Sequence, residues 1–330
     1  MPGVRIVTVT LNPAIDRVME IEQFRVGQHQ RGRRLGWYPA GKGINVSRVL
    51  AVLGTRSIAT GFVGRDELAL FEEFLEDIGG GRVVMQLLGV RGRTRENTTI
   101  MDPVLDTETH IRDEGIEVQP EDVRRVSSKV AMLARDGVMM VFAGSLSPGV
   151  SLGDFRSMLH RCHDGGARAV VDAGGKALSA VLNEDIWLLK INSSELGEVT
   201  GMPTHSQSEV VAAARSLTRD CSGNIKHVII TRAEAGAVLL SPDACLVARV
   251  FVHPGRIANT VGSGDSLLAG VLHEWSRGAG WSDAMRRGVA TATANAVSRT
   301  PGIISLDDVR EFWDAAAVET LDELGEPVTQ

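Results

Sequence analysis

Val138-Met139-Met140-Val141-Phe142 runs straight into Ala143-Gly144-Ser145-Leu146-Ser147-Pro148-Gly149. Five consecutive apolar residues with no polar alternation read as a strand buried on both faces, the condition of a parallel strand between two helical layers. The small, glycine-rich turn then lies at the strand's carboxyl end, where open α/β sheets take their ligands. The pairing recurs outward along the chain. Ala169-Val170-Val171 leads into Asp172-Ala173-Gly174-Gly175, Trp187-Leu188-Leu189 into Lys190-Ile191-Asn192, and Val228-Ile229-Ile230 into Thr231-Arg232-Ala233-Glu234. Residues 4–9 and 57–63 are strand-like as well. Residues 44–53 carry Val46, Val49, Leu50 and Leu53 on one helical face, and residues 68–78 do the same up to Gly79-Gly80. Alternation of this kind predicts a three-layer α/β/α core with a mainly parallel sheet and one site where the turns converge.

Two stretches break the rhythm. Residues 16–39 and 94–113 alternate polar and apolar like half-exposed hairpins. They predict a small discontinuous β lid (13–39 and 91–115) over a core made of 1–12, 40–90 and 116–330. The polar residues 322–330 are expected to fray.

The 330 residues suffice for a large core, and the net charge of −6 gives no general attraction for nucleic acid or an anionic membrane. An anionic substrate therefore needs a local basic cluster, such as Arg31, Arg33 and Arg34 or Arg91, Arg93 and Arg95. Three widely spaced cysteines without a C-x-x-C pair, and no apolar run of spanning length, predict a soluble cytoplasmic protein. The eight histidines lack metal-ligand spacing, and no Gly-x-Ser-x-Gly elbow is present.

Three motifs carry chemistry. Asn259-Thr260-Val261-Gly262-Ser263-Gly264-Asp265-Ser266 opens an apolar helix. Glycines there let several amides point at one anion while Asp265 accepts a proton, a layout for phosphoryl transfer; the plainer reading makes Asp265 or Ser266 an N-cap. Gly41-Lys42-Gly43-Ile44-Asn45 sets a lysine at a helix start without being a Walker loop. Asn192-Ser193-Ser194-Glu195 reads as a capping box or as two oxygens ordering a hydrated Mg²⁺. Asp16, after Leu11-Asn12-Pro13, is a turn residue or a grip on sugar hydroxyls.

In this order along the chain, these segments resemble the PfkB (ribokinase-like) carbohydrate kinases. The resemblance rests on Thr10-Leu11-Asn12-Pro13-Ala14-Ile15-Asp16, Gly41-Lys42-Gly43-Ile44-Asn45-Val46, Thr94-Arg95-Glu96-Asn97, Gly144-Ser145-Leu146-Ser147-Pro148-Gly149, Lys190-Ile191-Asn192-Ser193-Ser194-Glu195 and the late Gly262 to Asp265 segment. The first two are similar to the branch acting on phosphosugars, 1-phosphofructokinase and tagatose-6-phosphate kinase. The resemblance implies ATP-dependent phosphorylation of a phosphorylated ketohexose. It makes Asp265 the base and Gly262, Ser263 and Gly264 the anion hole. Asp16, Gly41 and Asn45 would hold the sugar, and Lys42 and Arg95 would meet phosphate charge, with Ser145 a further substrate-binding candidate. Lys190, Asn192, Thr231, Gly236 and Asn295 would serve the nucleotide, and Asn192 and Glu195 would order Mg²⁺ through water. A homodimer through the lid is implied too. Four positions depart from the pattern: Ser263 for alanine, Ala40 for glycine, Ser147 for proline, and Thr99 where the 1-phosphofructokinase branch usually has lysine.

Overall fold

The computed structural model describes residues 6–221, 224–298 and 302–328. Its strands are β1 (Ile6–Thr10), β2 (Ala14–Glu20), β3 (Arg33–Ala40), β4 (Ser57–Gly64), β5 (Val83–Val90), β6 (Arg95–Asp102), β7 (Thr107–Ile111), β8 (Met139–Ala143), β9 (Arg168–Asp172), β10 (Ile186–Asn192), β11 (Ile225–Thr231), β12 (Ala237–Ser241), β13 (Ala244–Arg249) and β14 (Ala317–Thr320). Ten of them form one sheet in the order β14-β13-β12-β11-β10-β9-β8-β1-β4-β5. Neighbours from β5 through β11 are parallel, and β12, β13 and β14 extend the sheet antiparallel. Val4 and Arg5, read as the start of the first strand, lie outside the described residues.

The continuous apolar runs have a direct cause. Alternate residues of a strand point to opposite faces, and here both faces are covered. Met140 and Phe142 of β8 join the core beneath α3 (Pro120–Leu133), α4 (Leu152–Asp164), α5 (Gly175–Val181), α6 (Ser193–Thr200) and α7 (Gln207–Asp220). Met139 and Val141 join the opposite core beneath α1 (Lys42–Val52), α8 (Ser263–Ser276), α9 (Trp281–Val297) and α10 (Leu306–Ala315). A third cluster seats α2 (Leu68–Gly79) beside α1 on β4 and β5. Emptying one of these positions, as in Phe142→Ala, would cost about 3–5 kcal/mol.

The second sheet has the order β3-β2-β6-β7, two antiparallel hairpins joined by parallel pairing of β2 with β6. Buried Asp102 ties their loops together, accepting the N–H groups of Gln23, Phe24, Val104 and Leu105. Register sets Tyr38, Asp16 and Asn97 side by side, so these three share one face.

Residues 322–328 are not frayed. The Asp322 carboxylate accepts the N–H groups of Leu324 and Glu326, Leu321 pairs with Pro327, and Gln207 Nε2 donates to the Gly325 carbonyl at 2.7 Å. A polar composition reads as loose, but an aspartate-centred turn is a polar way to be ordered.

Candidate active site

At the start of α8 the chain turns on Gly262, whose φ of +79° is left-handed and whose position is the N-cap, with no side chain capping the helix. Asp265 is therefore not the cap. It stands in the third helical position with its carboxylate free for other work. Ser263 N–H donates to the Thr260 carbonyl and Ser266 N–H to Gly262, whereas the Gly264 and Asp265 amides have no partner among the described residues. Asn295 of α9, fully buried, braces this turn from behind: its Nδ2 donates to the Val261 carbonyl (2.8 Å) and to Ser263 Oγ (3.0 Å), and its Oδ1 accepts Gly302 N–H. The Ser263 hydroxyl is thus engaged with Asn295.

Asp265 Oδ2 accepts from Asn45 Nδ2 at 2.8 Å. Burial, reinforced by the negative charge of Asp172, pushes the Asp265 carboxyl up to about 6, with Lys42, Lys190 and Asn45 pulling the other way. Such a group is ionised at neutral pH yet basic enough to take a proton.

Asp172, the last residue of β9 and 1% exposed, receives both lysines: Lys42 Nζ at 2.7 Å on Oδ1 and Lys190 Nζ at 2.8 Å on Oδ2. Burial opposes its charge, but Lys190 and Lys42 together hold it down to about 2. Lys190 also abuts the helix start, since a Cβ built on Gly264 would lie 2.7 Å from its Nζ. Sequence reading left Asp172 inside a generic turn, because its partners are 18 and 130 residues away.

Asn192 and Glu195 form the capping box: Asn192 Oδ1 accepts Glu195 N–H and Glu195 Oε2 accepts Asn192 N–H, each at 2.8 Å. Glu195 Oε1 faces Gly174 at the carboxyl end of β9, where an added Cβ would come within 2.7 Å. No group of three or more His, Cys, Asp or Glu side chains among the described residues could hold a metal directly. The oxygens present match a cation that keeps its waters. Thr231 ends β11 half-buried with its carbonyl accepting from Ser193 Oγ (3.2 Å). Gly236 shapes the turn after it, for an added Cβ would meet the Ala248 carbonyl at 2.1 Å.

On the other side, Gly41 caps α1 with φ +125° against Thr10 and Pro13. Asp16 Oδ1 accepts from Asn97 Nδ2 at 3.0 Å, and burial raises the Asp16 carboxyl above its ordinary range. Arg95 donates to the carbonyls of Pro13, Asp113 and Asn12, stitching the chain where it passes between the two sheets. Exposed Ser145 accepts from Asn12 Nδ2 at 3.1 Å. Arg33 and Arg93 are exposed and paired with Glu20 and Glu67, and Thr99 Oγ1 lies 3.1 Å from His110 Nδ1. Four buried polar atoms in this region, Tyr38 Oη, Asn45 Oδ1, Asn97 Oδ1 and Thr10 Oγ1, have no hydrogen-bond partner among the described residues. Sequence reading missed Tyr38, and its pairing with Asp16 in the hairpin was the available signal.

A family model described as pfkB family carbohydrate kinase matches residues 9–307. The chain is 33% identical to 1-phosphofructokinase of Haemophilus influenzae over 274 residues, covering 83% of this chain and 85% of that one. Against 1-phosphofructokinase of Bacillus subtilis it is also 33% identical, over 297 residues, 90% of this chain and 94% of the other. Among solved structures, phosphofructokinase-2 from Escherichia coli in complex with fructose-6-phosphate superposes with a TM-score of 0.85 at 26% identity, covering 94% of this chain and 99% of that chain.

Proposed function

The chain belongs to the pfkB family of carbohydrate kinases, and from that premise we propose that it transfers the γ-phosphoryl group of ATP to a hydroxyl of a phosphorylated ketohexose, fructose 1-phosphate first, giving a bisphosphate and ADP. The observation that carries this is the Asp265 carboxylate, oriented by Asn45 beside two unpartnered first-turn amides and two lysines. Asp265 takes the proton of the acceptor hydroxyl as its oxygen bonds to phosphorus and the bond to the ADP oxygen breaks. The amides of Gly264 and Asp265 receive the charge on the transferring group. Asp16, Asn97 and Tyr38 hold the sugar, for which the unpartnered buried atoms have matching hydrogen-bonding capacity.

Asn192 and Glu195 would order a hydrated Mg²⁺, which neutralises polyphosphate charge when bound. Thr231 and Gly236 border the nucleotide, and Asn295 acts on it through the turn at residues 261–263. The small sheet serves as a lid that excludes water, with Arg95 stitching its base. Its far face, with Leu35 and Trp37 exposed, supports a homodimer through the lid, which light scattering would check. No helix of the described residues is long and apolar enough to cross a membrane, and three free buried cysteines support a cytoplasmic site of action.

The test is a coupled ADP-release assay with Mg-ATP across fructose 1-phosphate, fructose 6-phosphate, tagatose 6-phosphate, ribose and adenosine. Fructose 1-phosphate should give the highest kcat/KM. Preference for ribose or adenosine would overturn the proposal.

A further inference from the structure

The catalytic base and the two lysines belong to one ring, closed through the first turn of α1 and the backbone at Gly264. Lys42 and Asn45 lie three apart on the first turn of α1, so they share a face. Lys42 reaches Asp172 (2.7 Å) and Asn45 reaches Asp265 (2.8 Å). Lys190, one strand over from β9, returns from Asp172 (2.8 Å) to the edge of Gly264, next to Asp265. With Asp265 ionised, the ring holds two cations and two anions and is neutral. Once Asp265 takes the acceptor's proton the ring carries one net positive charge, beside the amides that face the transferring group. A single lysine would leave no such surplus, and two without Asp172 would repel one another.

We propose that Asp172 is a positioning residue of the transfer step: shared by Lys42 and Lys190, its carboxylate fixes their spacing at the phosphoryl site and places a second negative charge near Asp265. This inference rests on the proposed phosphotransfer. The groups that face Asp265 are Asp172 from β9, Lys190 from β10, and Lys42, Asn45 and Arg48 from α1. Glu195 faces Lys42 from α6. Of these Asp172 alone raises the proton affinity of Asp265, while Lys42 and Lys190 lower it.

The experiment is kcat against pH from 5 to 9, at saturating Mg-ATP and fructose 1-phosphate, for wild type, Asp172→Asn and Lys42→Met. The substrate's phosphate titrates near pH 6 in all three alike, so differences between variants are the readout. Asp172→Asn should lose about 10²-fold in kcat through misplaced lysines. Its acid limb should move to lower pH by about one unit, as loss of a neighbouring like charge demands. Lys42→Met should move the limb upward. A folded Asp172→Asn protein whose limb stays put or rises overturns the inference. Should that variant not fold, Lys42→Met decides: an upward limb supports the ring, an unmoved one overturns it. Turnover by Asp265→Asn at wild-type rate would instead overturn the underlying phosphotransfer reading. An inactive Asp265→Asn with an unmoved Asp172→Asn limb overturns this inference alone.

Discussion

The floor of the site and the face of the small sheet are built on opposite terms. On the floor, Asp172 is fully paired with Lys42 and Lys190, Asp265 is held by Asn45, and Asn295 closes the turn behind them. On the small sheet, Tyr38 Oη and Asn97 Oδ1 are buried without partners. A buried polar group left unpaired costs about 1–3 kcal/mol, so a region that tolerates several is one completed by something else. On the proposed reading, the charged side chains of the floor are already paired within the protein and only its amides await the transferring group, whereas the hydroxyl-reading half is completed by its acceptor. The proposed function thus assigns reaction type to the floor and substrate identity to the small sheet.

If that division holds, floor substitutions should act on kcat and small-sheet substitutions on KM. The largest effect should come from Asp265→Asn, with kcat falling about 10²–10⁴-fold and the acceptor KM little changed. For the wild type, kcat should fall below about pH 6 as Asp265 takes up a proton. Stability should run the other way. Because the folded protein binds this proton more tightly than the unfolded chain does, with values of about 6 against 3.8, Asp265 stabilises the fold least at high pH. Asp265→Asn should therefore melt higher than wild type at pH 8, with the gain shrinking as pH falls toward 4. A variant that is inactive but no more stable at pH 8 would mean that the carboxylate is not strained by its surroundings.

Next in size is Asp16→Ala, which removes a charged hydrogen-bonding group from the acceptor side. The acceptor KM should rise about 10–100-fold, the range of 1.5–3 kcal/mol for a hydrogen bond to a charged group. A larger loss in kcat than in KM would break the comparison, because Asp16 would then act on the reaction and not on the sugar. Tyr38→Phe tests the same face more gently. Its ring stacks on Phe74 and lies 5.7 Å from the Arg48 guanidinium, contacts that phenylalanine keeps. Loss of the hydroxyl alone should raise the acceptor KM by about 2–10-fold, with thermal stability unchanged or improved. An unchanged KM would make the buried hydroxyl a packing feature.

The difference between floor and small sheet also marks what was legible in the sequence. Uninterrupted apolar runs announced parallel strands covered on both faces, and the glycines at 262 and 264 announced a tight turn at a helix start, because both are local properties. The capping box at Asn192 and Glu195 was local as well, and it formed as the spacing required. Asp172 was invisible, since a lone aspartate at a strand end acquires meaning only when α1 and β10 deliver lysines to it. Asn295 was seen as a nucleotide residue by resemblance, yet its bonds run to the turn, an arrangement set by the packing of α9 on α8. The antiparallel β12–β14 edge escaped because strands this short carry no record of their direction, and β14 is not even buried.

The smallest expected effect bears on the substrate itself. Thr99 follows Asn97 on the same face of β6 and is paired with His110 across to β7, at the position where lysine was expected. Thr99→Lys gives up one exposed hydrogen bond and adds an ammonium that can reach an acceptor phosphate. Ion pairs of this exposure are worth about 0.2–1 kcal/mol, so KM should fall only about 1.5–5-fold, and less in high salt. Which substrate benefits is the informative part. A lower KM for fructose 1-phosphate but not fructose 6-phosphate puts the resident phosphate beside β6 with the sugar's 6-hydroxyl toward Asp265. The reverse pattern would turn the sugar around and make fructose 6-phosphate the better acceptor. Equal KM values in mutant and wild type for both sugars would remove Thr99 from the phosphate site, leaving Tyr38, Asp16 and Asn97 to discriminate acceptors through their hydroxyls alone.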